Sequence, residues 1–142
     1  MSADKLYSEI FEDFDKCTTK AERIALLQKY DHKNFREFFI AAFNDSIEFD
    51  VEIPTYRPAP EPAGLNFTYI SSEVPKLYRF IKGHPSRAEG LTGAKQKSLL
   101  VVILESLHKD EADLLVKLFK RKLEVKFLTA NLVREAFPGI NI

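Results

Sequence analysis

Gly90–His108, GLTGAKQKSLLVVILESLH, holds six consecutive apolar residues at its centre, Leu99–Leu104. Periodicity alone does not decide such a run. Val101, Val102 and Ile103 favour a buried strand, whereas a helix that is apolar all round is one buried all round. The flanks favour the helix. Thr92 is placed to cap its start, and Lys95, Gln96, Lys97 and Ser98 make a polar first turn. Leu99, Val102, Ile103, Ser106 and Leu107 then recur at helical spacing. The stretch therefore predicts a central helix, buried on every side, that enters the core from a basic surface.

The segments around it read as helices too. Downstream, Asp110 opens a helix with Leu114, Leu115, Leu118 and Phe119 inward, and Lys117, Lys120, Arg121 and Lys122 at its C-terminal end. Thr129 caps a short last helix carrying Leu132, Val133, Ala136 and Phe137, stopped by Pro138-Gly139. Upstream lies the loop 82–93, KGHPSRAEGLTG. Before it, a helix from Ser71 or Ser72 places Pro75 in its first turn, where a missing amide costs little. Val74, Leu77, Tyr78 and Ile81 face inward, and Gly83 ends it.

The first third predicts three more helices. Leu6, Tyr7, Ile10, Phe11 and Phe14 mark one apolar stripe. Thr19-Lys20-Ala21-Glu22 is a capping box, in which hydroxyl and carboxylate each satisfy one orphan amide. It opens a helix with Ile24, Ala25, Leu27 and Tyr30 on its apolar side. Asp31 caps a third, where Phe35, Phe38, Phe39, Ala42 and Phe43 recur with helical period. An aromatic stripe can stack bases, but this spacing points to core. Between the halves, Ile47, Phe49, Val51 and Ile53 alternate with polar residues, the period of an extended segment with one buried face. Prolines at 54, 58, 60 and 62 stiffen the next stretch of chain, and Leu65, Phe67 and Tyr69 alternate again. The two alternating pieces either pair as a ribbon or drape across the helices. The proline segment itself is a spacer wrapped round the domain, or else a docking ligand. The whole predicts a mainly α, all-α class: about seven helices in one compact domain, residues 1–142, crossed by an extended Pro-rich segment at 46–70.

At 142 residues, with 45% hydrophobic and 30% charged content, the chain suits one soluble domain. The start, MSADKLYSEIF, lacks the basic–apolar pattern of a signal peptide, and no window suits a membrane span. The lone Cys17 excludes an internal disulfide and suits a reducing interior, with a structural role expected over a nucleophilic one. Net charge is zero but divided. Residues 1–75 carry 8 basic and 14 acidic groups, residues 76–142 carry 13 and 7. A basic half with a directional field suits a polyanion.

His32, His84 and His108 stand alone, without metal-ligand spacing, and neither glycine-rich phosphate-binding motif is present. No cofactor or metal is expected. The acid pairs at 9–15 lie on a solvated helix face. What remains is a phosphate-backbone site at helix N-termini. Lys82, Arg87, Lys95 and Lys97 surround one such end; Lys120, Arg121, Lys122, Lys126 and Arg134 surround the other. A short echo, GLTGAKQKSLL at 90–100 and FLTANLVREAF at 127–137, places Leu-Thr before a helix that begins polar and turns apolar.

Gly90 before a helix with Lys97 and an apolar run, Leu107-His108-Lys109-Asp110-Glu111, Leu118-Phe119-Lys120-Arg121-Lys122-Leu123 and Ala136-Phe137-Pro138-Gly139-Ile140 carry a resemblance. In them the chain resembles the N-terminal DNA-binding domain of T4-type bacteriophage ATP-dependent DNA ligases. Upstream, the Phe-rich helix, the Val51-Glu52-Ile53-Pro54 segment and the Leu77–Ile81 helix occur in the same order. The resemblance implies an all-α domain that clamps duplex DNA across the minor groove through its backbone, with Lys120, Arg121 and Thr129 near phosphate. Where that family has glycine and small residues before its last helix, this chain has Lys126, Phe127 and Leu128. The ligase nucleophile, Lys-x-Asp-Gly, is missing. The nearest string is Lys29-Tyr30-Asp31-His32, and the chain ends where the nucleotidyltransferase domain would begin.

The expectation is therefore a non-catalytic phage accessory module, a monomer in the host cytoplasm, binding duplex DNA with little sequence preference beside phage replication or repair proteins. The alternative is a protein-interaction adaptor on the same scaffold, binding replication or transcription machinery through its acidic half and proline segment.

Overall fold

The computed structural model describes residues 5–86 and 93–142. Seven α-helices are formed among them: α1 (Tyr7–Lys16), α2 (Lys20–Lys29), α3 (Lys33–Phe43), α4 (Ile70–Glu73), α5 (Gly93–Ser106), α6 (Lys109–Phe119) and α7 (Ala130–Ala136). Helix α4 runs straight on as a 3-10 segment, Val74–Phe80. The described residues hold no strand longer than an isolated bridge. The all-α expectation holds.

Helices α3 and α6 form the middle of the core. Phe35, Phe38 and Phe39 of α3 are fully buried. Their rings meet Tyr7 and Phe11 of α1 and Phe137 after α7, with centroids 4.9–6.3 Å apart. The aromatic stripe is core, as its spacing suggested. Helix α6 packs on α1, α3 and α5, burying Ala112, Leu115 and Leu118.

It also buries a charge. Glu111 is 1% exposed; its Oε2 accepts the Tyr7 N–H at 2.9 Å and its Oε1 the Ile70 N–H at 3.0 Å. These are the first amides of α1 and α4, so one carboxylate closes two helix N-termini. Burial pushes its pKa up, against the pull of both backbone amides.

Several expectations are corrected. Helix α5 is not buried all round: Gln96, Leu100, Ile103 and Leu104 face inward, Leu99 is half-buried, and Val102 is 63% exposed. The apolar run is wider than the face that α5 turns to its neighbours. Thr92, its proposed cap, lies outside the described residues, as does Gly90. Helix α3 is capped by His32, whose Nδ1 accepts the Asn34 N–H at 3.1 Å, while Asp31 pairs with Arg36 at 2.7 Å. Helix α6 is likewise capped by His108 Nδ1 rather than by Asp110. His84 makes the same contact with the Ser86 N–H, so each imidazole accepts from the amide two residues on. Helix α4 begins at Ile70, and Pro75 lies at the start of the 3-10 segment. Ala25 of α2 faces solvent. The capping box at Thr19 and the cap at Thr129 form as expected.

The crossing segment drapes across the helices and forms no ribbon with itself. Phe49 bridges antiparallel to Ile81, and Ala59 bridges to His108. Phe49, Val51 and Ile53 pack on the core, with the Phe49 ring 5.0 Å from Phe119. The second alternation buries nothing comparable: Leu65 is 70% and Phe67 86% exposed. A turn at Gly64, with φ +92, is closed by the Tyr69 hydroxyl, which donates to the Gly64 carbonyl at 2.9 Å.

Candidate nucleic-acid interface

The first basic end gathers round residues 47–53. Backbone bonds from Lys82 N–H to Glu48 O and from Asp50 N–H to Phe80 O, both 2.8 Å, zip this strap to the end of the 3-10 segment. The start of α5 is anchored to the same place, because Gln96 points inward and its Nε2 donates to Arg79 O at 3.3 Å. Lys95 and Lys97 then face outward. The outward carboxylates of the strap meet these lysines: Lys97 reaches Glu52 at 3.5 Å and Lys82 reaches Glu48 at 4.0 Å. The strap's alternation showed that these acids face out, but only the fold shows which lysines they neutralise. Arg87 lies outside the described residues.

The second end is the turn from α6 to α7. Arg121 sits at φ +59 just past the helix. Its N–H donates to Leu118 O, and the Lys122 N–H donates to Lys117 O at 3.0 Å. This is a Schellman closure with arginine at the left-handed position, which costs an L-residue about 1–2 kcal/mol. The side chain offsets that cost by donating Nη1 to Ile47 O at 2.6 Å. Arg121 therefore binds the strap through Nη1. Thr129 is also spoken for, its Oγ1 accepting the Leu132 N–H at 3.1 Å. Arg134 donates to Asn131 Oδ1 at 2.7 Å and to Ile142 O at 3.3 Å. Lys120, Lys122 and Lys126 are exposed and form no ion pair among the described residues.

Two further residues of this turn, Glu124 and Phe127, take φ +58 and +70. Three non-glycine residues in left-handed geometry within seven positions is unusual, since Cβ clashes with the backbone there. Buried Leu123 and Leu128 hold the turn down, so Lys122, Lys126 and the Phe127 ring are left outside. Phe127 is 54% exposed, with the Arg23 guanidinium 3.9 Å from its centroid. Arg23 Nη2 donates to Cys17 O at 3.2 Å, and its Nε is buried without an acceptor among the described residues. A donor left unmade in this way costs about 1–3 kcal/mol. No sequence signal linked Arg23 on α2 to Phe127, because a positive φ at phenylalanine is set by tertiary contacts.

A family model matches residues 10–125 of the chain. The chain belongs to DUF6433, a family of unknown function. No curated protein and no solved structure matches it. The DUF6433 match takes in the strap, Lys82, Lys95, Lys97 and the Lys120–Lys122 cluster. It stops before Lys126, Phe127, Thr129 and Arg134.

The described residues of this DUF6433 chain hold no cluster of three or more His, Cys, Asp or Glu side chains able to grip a metal. No helix among them is long and apolar enough to cross a membrane. Cys17 is half-buried, its thiol directed at the Asp13 carbonyl at 3.6 Å, and burial pushes its pKa up. That shift disfavours the nucleophilic thiolate.

Proposed function

We propose that the chain is a non-catalytic module that binds the phosphate backbone of duplex DNA, using Lys120, Lys122 and Lys126 with support from Lys95. The observation that carries this reading is the α6–α7 turn. A segment held by two buried leucines, in strained geometry, presents three lysines within seven residues, none ion-paired among the described residues. Such contacts position a duplex without reading its bases. The ligase-like order of helices and basic turns supports the same reading. The chain would then act as a monomeric phage accessory protein in the host cytoplasm, beside replication or repair proteins, with no reaction of its own.

The test is duplex binding by fluorescence anisotropy across a salt series. The logarithm of affinity should fall linearly with log salt, by about 0.9 for each phosphate neutralised. Changing Lys120, Lys122 and Lys126 together to Glu should abolish most binding without lowering the melting temperature; Arg121 is spared because it supports Ile47. Equal affinity in parent and variant would overturn the proposal. The adaptor reading keeps one specific support, the outward Leu65 and Phe67 on the proline segment. A Leu65→Ser, Phe67→Ser variant would then lose partner binding and keep its fold.

A further inference from the structure

We infer that Phe127 and Arg23 form a stacking platform for one unpaired nucleobase, so that duplex DNA with a single-stranded end is held more tightly than continuous duplex. This deepens the backbone-binding reading and rests on it for the neighbouring phosphate contacts.

The platform is built from α2 and the α6–α7 turn. Helix α2 supplies Arg23, whose guanidinium is fixed by its bond to the Cys17 carbonyl and lies 3.9 Å from the Phe127 centroid. The α6–α7 turn supplies the ring, and Lys126 brings its ammonium within 5.2 Å of the same centroid. The segment before α7 keeps the ring in place: Leu128 is buried and Thr129 caps the helix. A phenylalanine among buried leucines would ordinarily turn inward. This one is displayed by φ +70, with half its surface in water. Arg23 lies against the ring, and the exposed remainder is available to a second planar group. Aromatic rings backed by a guanidinium and flanked by lysine suit a base and its phosphate, because every base offers a π-face and each step brings one negative charge.

The groove beside the ring fits that occupant. It measures about 250 Å³ and is lined by Lys20, Arg23, Phe127, Asn131 and Glu135. Its one carboxylate, Glu135, is held by Lys20 at 2.8 Å, so it does not stand alone against an incoming phosphate. Asn131 offers its side-chain amide at the rim, where its oxygen is already taken by Arg134. An apolar peptide would gain the ring but leave Arg23 and Lys126 without anionic partners.

The experiment uses the full chain and three oligonucleotides: a blunt duplex, the same duplex with a short overhang carrying 2-aminopurine, and the single strand. The parent should bind the overhang about tenfold more tightly than the blunt duplex, within the range for one stacked base, and quench the 2-aminopurine. Phe127→Gly, which suits φ +70 and so should fold, should bring the overhang affinity down to the blunt value. Phe127→Tyr should keep the preference. An overhang bound no better than the blunt duplex overturns the platform while leaving salt-dependent backbone binding in place. A preference that survives Phe127→Gly does the same. A Phe127-dependent preference that ignores reversal of Lys120 and Lys122 supports the platform and overturns the backbone site. A parent that binds none of the three ends both.

Discussion

Glu111 shows how much one side chain can hold. Its carboxylate, 1% exposed, accepts the first amides of α1 and α4, elements far apart in the chain. Removing it leaves two buried donors unmade, so Glu111→Ala should destabilise by roughly 2–5 kcal/mol. The pH dependence has a definite sign. Burial raises the folded pKa above the unfolded one. The fold therefore favours the protonated acid, and this contribution is fully present below the unfolded value and lost as pH rises through the folded value. Glu111→Gln removes that titration while keeping one acceptor. In urea melts from acid to neutral pH, the stability of the parent relative to Glu111→Gln should fall as pH rises. A constant difference would mean that Glu111 titrates alike in both states. Its role was not legible in the sequence, where Asp110-Glu111 reads as an ordinary acidic first turn; only the arrival of two foreign helix ends makes it central.

At the scale of elements, α5 shows what periodicity can and cannot settle. The presence of all seven helices was legible, because aromatic and leucine stripes repeat at 3.6 residues and Thr19 and Thr129 stand at two of the starts. The facing of α5 was not, since six apolar residues in a row carry no phase. Gln96 decides it: its bond to Arg79 O turns residues 96, 100, 103 and 104 inward and Val102 out. Ile103→Ala should thus cost about 2–5 kcal/mol, as in other cores, and Val102→Ala should change stability by no more than about 0.5 kcal/mol. Equal losses in thermal or urea melts would put Val102 in the core and the described facing in error. The helix starts at α3 and α6 were misread because imidazole is not among the usual capping groups. His32 and His108 serve through Nδ1, a tautomer choice that no residue pattern announces. The strap was legible as an extended segment by its alternation, yet its partners were not, since Phe49–Ile81 and Arg121–Ile47 join residues 32 and 74 apart.

For the molecule as a whole, the zero net charge conceals an arrangement in which acids cover part of the basic half. The sequence placed the cations but could not say which are free. Lys82 and Lys97 are met by Glu48 and Glu52, Arg121 holds Ile47, and among the described residues Lys95, Lys120, Lys122 and Lys126 are exposed without an ion pair. All four members of the two strap pairs are exposed, so the pairs contribute little to stability. Their effect on a polyanion is larger, because a phosphate approaching Lys82 or Lys97 must displace a carboxylate and meet its repulsion. Glu48→Gln with Glu52→Gln should therefore leave the melting temperature nearly unchanged and raise affinity for duplex DNA by several-fold at low salt. The gain should shrink as the Debye length falls from about 30 Å at 0.01 M to about 8 Å at 0.15 M. The salt slope should steepen by up to about 1.8 if both freed lysines then reach phosphate. A double variant that binds no more tightly than the parent at low salt would place the DNA path away from the strap. Binding would then rest on the α6–α7 turn alone.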